Sequence, residues 1–273
     1  VITTERFAHY YLPNPARPFY ETPYADSRKG MRPVTISDAR KMGALPSFST
    51  VTSIIEKPNL TEWKYQLLLE AADDVISQKK GNVLDHYEEV IELFNERREE
   101  AAKKGSAIHD AIEMSVRLAW GLQMDTPVPD VNPGVDTKIV RAALEFLDDL
   151  NIRVDGVEVV FADPKMGLGG RVDLVGMDPA GTPVLVDWKT TNTKGKKKLF
   201  YEPEMPAQLA VYGEALFPGQ ETRLFNVVLS RDAPGERDFS EWPERRATDA
   251  KRWFMSLFAF WIQDKGYDPR WEV

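Results

Sequence analysis

Three charged side chains in two short apolar runs have the types and spacing for chemistry. They are Asp173 in GGRVDLVG, and Asp187 and Lys189 in PVLVDWKTT. A strand alternates its faces with period two. In VLVDWKT this puts Asp187 and Lys189 on one face and Val184, Val186 and Trp188 on the other. A charge among apolar neighbours is costly unless it is paired or bound to a metal. Two acids on neighbouring strands with a lysine alongside suit a divalent cation next to a fixed positive charge. Hydrolysis of a phosphodiester needs that combination.

The elements that must position these residues follow from periodicity and turn residues. RVDGVEVVFAD, GGRVDLVGMD and TPVLVDWKTT read as a three-stranded meander, with turns from Pro164 to Gly170 and from Asp178 to Gly181. PEMPAQLAVYGEALF reads as a helix, TRLFNVVLSR as a strand and ATDAKRWFMSLFAFWIQDKG as a final helix. Its Trp253, Phe254, Leu257, Phe258, Trp261 and Ile262 are spaced for core packing. Before the meander lie helices: two short ones broken at Pro58, a long one with Gly105 as a break, and KIVRAALEFLDDL after the proline-rich loop MDTPVPDVNPG. Residues 1–45 show weak periodicity and read as an irregular arm that wraps the body or is partly disordered. The fold class is α/β: a small mixed sheet with helices on its faces, preceded by a helical lobe.

The 273 residues are 42% hydrophobic and 29% charged, with a net charge of -8. The field of the whole chain is not that of a nucleic-acid binder, but Lys194, Lys196, Lys197 and Lys198 form a local basic run just after the acidic strand. Lysines so placed would bind phosphates without reading sequence; a solvated loop is the ordinary alternative. The absence of cysteine excludes disulfides, thiolate zinc sites and an iron–sulfur cluster held by cysteines. VITTERFAHYYLPNPARPF has no signal-peptide core, and WFMSLFAFWI is too short to span a bilayer. The expectation is a soluble, cytoplasmic protein with no membrane partner.

The order of the motifs resembles the PD-(D/E)XK nuclease superfamily, and within it the RecB-type exonuclease branch. That branch has a helical histidine, a Gly-x-x-Asp strand, an Asp-x-Lys strand and a Gln-x-x-x-Tyr helix. Here these are His109, Gly170 to Asp173, Asp187 to Lys189, and Gln208 to Tyr212, over roughly residues 100–230. Val172 stands where the superfamily's proline would be, a proline often absent from this branch. The segment PSFSTVTSIIEKPNL is also similar to phage-encoded exonucleases of the branch.

The resemblance implies a restriction-endonuclease-like core over residues 100–273, with an arm and helical lobe over 1–99. It implies Mg²⁺ or Mn²⁺ held by His109, Asp173, Asp187 and the backbone carbonyl of Trp188. Lys189 would orient or deprotonate the attacking water or neutralise charge on the phosphoryl group; an ordinary ion pair is the alternative. Glu158 would bind a second metal or position the water, or face solvent at a sheet edge. Glu113, one turn after His109, would support it. Gln208 would touch the active site or the scissile phosphate. Tyr212 would orient DNA or the lysine, or sit in the core. Arg171, on the same face as Asp173, would reach a flanking phosphate.

The implied activity is a metal-dependent deoxyribonuclease, an exonuclease at DNA ends in recombination, repair or genome processing. The cell would be bacterial or phage-infected, and the protein partner a single-strand annealing or recombination protein. A site- or structure-specific endonuclease is one alternative. A non-catalytic nucleic-acid-binding scaffold is another.

Overall fold

Turn chemistry and apolar patterning divide the chain into short N-terminal strands, a long helical pair and one mixed sheet. The computed structural model describes residues 9–24, 30–79, 81–122 and 134–270. Except for Gly134, the expected proline-rich loop lies outside them.

Strands β1 (Tyr10–Pro13), β2 (Ala16–Phe19), β3 (Glu21–Pro23) and β4 (Met31–Pro33) open the fold. They are followed by helix α1 (Ile36–Met42), strand β5 (Leu45–Pro46) and helix α2 (Phe48–Thr52). β1 pairs with both β2 and β5, and β3 pairs with β4. Over its described residues the arm is short strands and one helix, a correction to the irregular reading, and its strands β1 and β2 lie against the main body. Segments this short and rich in proline and tyrosine show no clean period. Thr35 and Asp38 close a reciprocal capping box that starts α1.

Helix α3 (Pro58–Gln78) starts with proline in its first turn, where a missing N–H costs nothing. Helix α4 (Tyr87–Trp120) follows and runs unbroken through Gly105, so the expected break there is absent. It also spans the expected boundary between lobe and core. Helix α5 (Thr137–Asp149) is capped by Asp136, whose carboxylate accepts the Lys138 N–H.

The mixed sheet comprises β6 (Arg153–Asp163), β7 (Leu168–Met177), β8 (Pro183–Thr191), β9 (Arg223–Ser230) and β10 (Arg237–Glu241). Helix α6 (Glu204–Leu216) connects β8 to β9, and α7 (Glu244–Lys265) ends the fold. The strand order is β10-β9-β8-β7-β6. β6, β7 and β8 form the expected antiparallel meander, and β8 and β9 run parallel through the α6 crossover. The strand β10, paired with β9, was not expected from the sequence. Asp163 and Asp178 tie the two meander turns by accepting backbone N–H groups.

Both sheet faces are covered. On one face Ile108, Ile112 and Val116 of α4 and Phe146 of α5 meet Val184, Val186 and Trp188 of β8. On the other, Leu209 and Tyr212 of α6 and Phe254, Phe258 and Trp261 of α7 meet Leu185 and Val175. The alternation read from VLVDWKT is thus realised as two cores. This is the mixed α/β architecture expected of a restriction-endonuclease-like core.

Candidate active site

The sheet forks at the acids. β7 and β8 are paired from Met177 opposite Pro183 to Leu174 opposite Val186, and no further. Beyond that point β7 stays with β6 and β8 with β9. Asp173 and Asp187 are the first residues past the fork. Asp173 Oδ2 accepts the Trp188 N–H at 2.8 Å, taking the place of a ladder bond. In a paired strand the N–H and C=O of one residue share an edge, so the Trp188 carbonyl belongs to the edge facing Asp173.

Glu158 lies opposite Asp173. The flanking pairs Val157 with Leu174 and Val159 with Val172 fix that register. Like charges directly opposite one another on neighbouring strands are destabilising. Glu158 also has φ +52, a left-handed conformation for a residue with a Cβ. Burial, then the Asp173 charge, push its carboxyl up to about 7. Asp173 is also pushed up, first by burial and then by Asp187.

His109 completes this cluster from α4. Its Nδ1 is 3.7 Å from Asp173 Oδ2. Burial, then the Lys189 charge, lower its pKa, which favours the neutral ring that ligates metals. His109, Glu158 and Asp173 each offer one ligand atom, and these atoms lie within 4.8 Å of one another. An imidazole and two carboxylates that repel each other in a part-buried site make a donor set that fits a divalent cation.

Asp187 is not a member of that compact set. It is buried, and its oxygens are already bonded. Lys189 Nζ lies 2.8 Å from Oδ1 and 2.6 Å from Oδ2, and Gln208 Nε2 lies 3.4 Å from Oδ1. Asn226 Nδ2 donates to Oδ2 at 2.7 Å, and Trp242 Nε1 donates to Asn226 Oδ1, also at 2.7 Å. Asn226 faces Asp187 in the parallel register of β8 and β9. Sequence reasoning missed Asn226 and Trp242, though Asn226 is a polar break in RLFNVVLS of the kind that marked the acids. Burial opposes the Lys189 ammonium, but Asp187 and Asp173 outweigh it and raise its pKa.

The Gly-x-x-Asp strand also has a packing reason. A Cβ on Gly170 would fall 2.7 Å from Phe161 and 2.9 Å from Tyr212. Tyr212 is buried, its ring edge-on to Phe161 with centroids 4.9 Å apart. Burial, then Asp187 and Asp173, push its phenol up. The tyrosine thus sits in the core, the alternative left open by its helical spacing, and not on an open DNA-facing surface. Arg171 Nε is 2.5 Å from Glu158 Oε2. Glu113 pairs with Arg117 at 2.9 Å. Lys194, Lys196, Lys197 and Lys198 are exposed on the loop leaving β8. Asp232 fixes the root of that loop by accepting the Thr193 N–H at 2.7 Å and the Lys194 N–H at 3.2 Å.

Comparison with known families assigns the chain to a superfamily. The profile of the PD-(D/E)XK nuclease superfamily matches residues 83–252, and the chain belongs to that superfamily of metal-dependent nucleases, hydrolases of phosphodiester bonds. No curated protein was found to match the chain. A solved structure described as "Crystal structure of SSO0001" is 14% identical, over 72% of this chain and 86% of its own, with a TM-score of 0.28. No helix among the described residues is long and apolar enough to cross a membrane.

Proposed function

We propose that this nuclease is a Mg²⁺- or Mn²⁺-dependent deoxyribonuclease that degrades DNA from its ends. The observation that carries the reading is the fork between β7 and β8, which gathers Asp173, Asp187 and Lys189 beside His109 and Glu158. The exonuclease mode is favoured by the order of His109, Gly170 to Asp173, Asp187 to Lys189 and Gln208 to Tyr212, the pattern of the RecB-type branch.

Asp173, Glu158 and His109 are the proposed cation donors, with Asp187 and the Trp188 carbonyl at the mouth of the fork. A bound divalent cation supplies Lewis-acid polarisation of the phosphate and the attacking water. The water oxygen bonds to phosphorus as the opposite P–O ester bond breaks; the water gives up one proton to solvent and the departing oxygen takes one from solvent, so the proton count closes. Lys189, held as an ammonium by its acidic neighbours, offsets charge that builds on the phosphoryl oxygens. Asn226 and Gln208 hold the Asp187 carboxylate in one orientation. Gln208, 3.4 Å from Asp187 Oδ1, is also the proposed contact to the scissile phosphate. The lysines after β8 hold the backbone of the substrate.

Linear and covalently closed circular DNA of the same sequence, each with Mg²⁺, test the mode. The account expects loss of the linear form while the circle persists. Degradation of the circle at a similar rate would mean an endonuclease.

A further inference from the structure

The N-terminal strands bring an aromatic surface to the edge of this site. β1 packs across β6 and β7, and β2 lies against β6. Tyr11 is buried against Gly169, where a Cβ would fall 2.4 Å from the Tyr11 Cβ. The Tyr11 and Tyr20 hydroxyls are 2.8 Å apart. The His9 ring lies over Tyr20, with centroids 4.6 Å apart and planes tilted by 33°. Arg171 links this group to the acids. Its guanidinium pairs with Glu158, and two residues before it on the same face of β7 lies Gly169, against which Tyr11 packs.

His9 is exposed, yet its main chain is pinned. Its N–H donates to Thr50 Oγ1 at 2.8 Å. Its carbonyl accepts from the Thr50 hydroxyl and the Ser47 N–H, both at 2.9 Å. Ser47 and Thr50 are themselves buried. An exposed ring on a fixed backbone, with a second ring beneath it, loses little freedom when a flat group lies on it. Aromatic faces beside an arginine are the chemistry that binds unpaired nucleotides: bases stack, and the guanidinium takes phosphate. Arg171 is half exposed and has five N–H donors, so its pair with Glu158 leaves some for a second acceptor.

We propose that His9, supported by Tyr20, is a stacking platform for an unpaired base of the substrate strand, with Arg171 on the adjoining phosphate. The proposal rests on the nuclease reading and adds to it: at least one nucleotide next to the scissile bond is unpaired when bound.

The test uses the chain carrying Asp187→Asn, to prevent digestion, and single-stranded deoxyoligonucleotides with 2-aminopurine at one end or the other. Binding should quench one of these probes. Adding His9→Ala should weaken binding about tenfold and abolish the quench, while His9→Phe should retain both. The backbone clamp does not involve the imidazole, so both variants keep it. Unchanged affinity and quench in His9→Ala would overturn the platform. So would equal losses in His9→Phe and His9→Ala, because stacking is then not what the ring does. Digestion of end-labelled DNA by the unsubstituted chain is measured in parallel. Digestion without a His9 effect overturns the platform alone; neither digestion nor binding overturns the nuclease reading as well.

Discussion

At the scale of single residues, the site is a balance of buried and part-buried acids against Lys189 and Arg171. The Asp187 carboxylate is satisfied on every side, whereas Glu158 and Asp173 oppose each other and are only partly offset, Glu158 by Arg171 and Asp173 by the Trp188 N–H. For Glu158 the carboxyl pKa rises from 4.5 to about 7 on folding. Its contribution to stability is therefore complete below the unfolded value and is lost as pH rises through about 7. A divalent cation held by Glu158 would remove that penalty by taking the place of the proton. The rise in melting temperature on adding Mn²⁺ should thus be larger at about pH 8 than at about pH 5.5. Equal rises at both would contradict the assignment of Glu158 to the cation cluster. Asn226→Leu leaves the buried Trp242 N–H without its acceptor and removes one of the two donors to Asp187 Oδ2, the other being Lys189, and should cost roughly 1–3 kcal/mol in urea denaturation. The acids and the lysine were legible because charge within an apolar run has few structural uses. Asn226 obeys the same rule, but an amide suggests no chemistry of its own, and only its register opposite Asp187 shows what it holds. The place of Glu158 was harder to read, because the register shift between Val154 and Gly156 and its own positive φ break the period that would assign its face.

At the scale of elements, the fork between β7 and β8 makes the site, and Gly170 allows the packing behind it. Gly170→Ala would push a methyl into Phe161 and Tyr212. Overpacking of this kind costs about 1–3 kcal/mol, so the variant should unfold at lower urea concentration than the parent. An unchanged midpoint would mean that the two rings move aside freely. Strands β6 to β9 and helices α5 to α7 were legible from period and turn residues, since each buries a regular face. The N-terminal strands were not, because their order comes from packing on β6 and β7 and not from a local pattern. The fork itself leaves no sequence signal: strand propensity continues through VDWKTT although β7 no longer pairs with it.

At the scale of the whole molecule, a net charge of -8 has to coexist with a polyanionic substrate. The lysines after β8 are exposed, and are the proposed source of the local positive field that such a substrate needs. Replacing Lys194, Lys196, Lys197 and Lys198 by glutamine should weaken DNA binding and flatten its salt dependence, by about 0.7–0.9 in log–log slope for each phosphate that is no longer neutralised. An unchanged slope would mean that the run is only a solvated loop. The central claim is that the residues at the fork hydrolyse phosphodiesters with a divalent cation. The most direct measurement is release of label from end-labelled DNA by the unsubstituted chain and by Asp187→Ala, each with Mg²⁺ and with a chelator. The account predicts Mg²⁺-dependent release by the unsubstituted chain, and a drop of at least about a hundredfold in the variant, in line with removal of a group that orders transition-state charge. Equal rates in the two chains, or release that persists with the chelator, would contradict it.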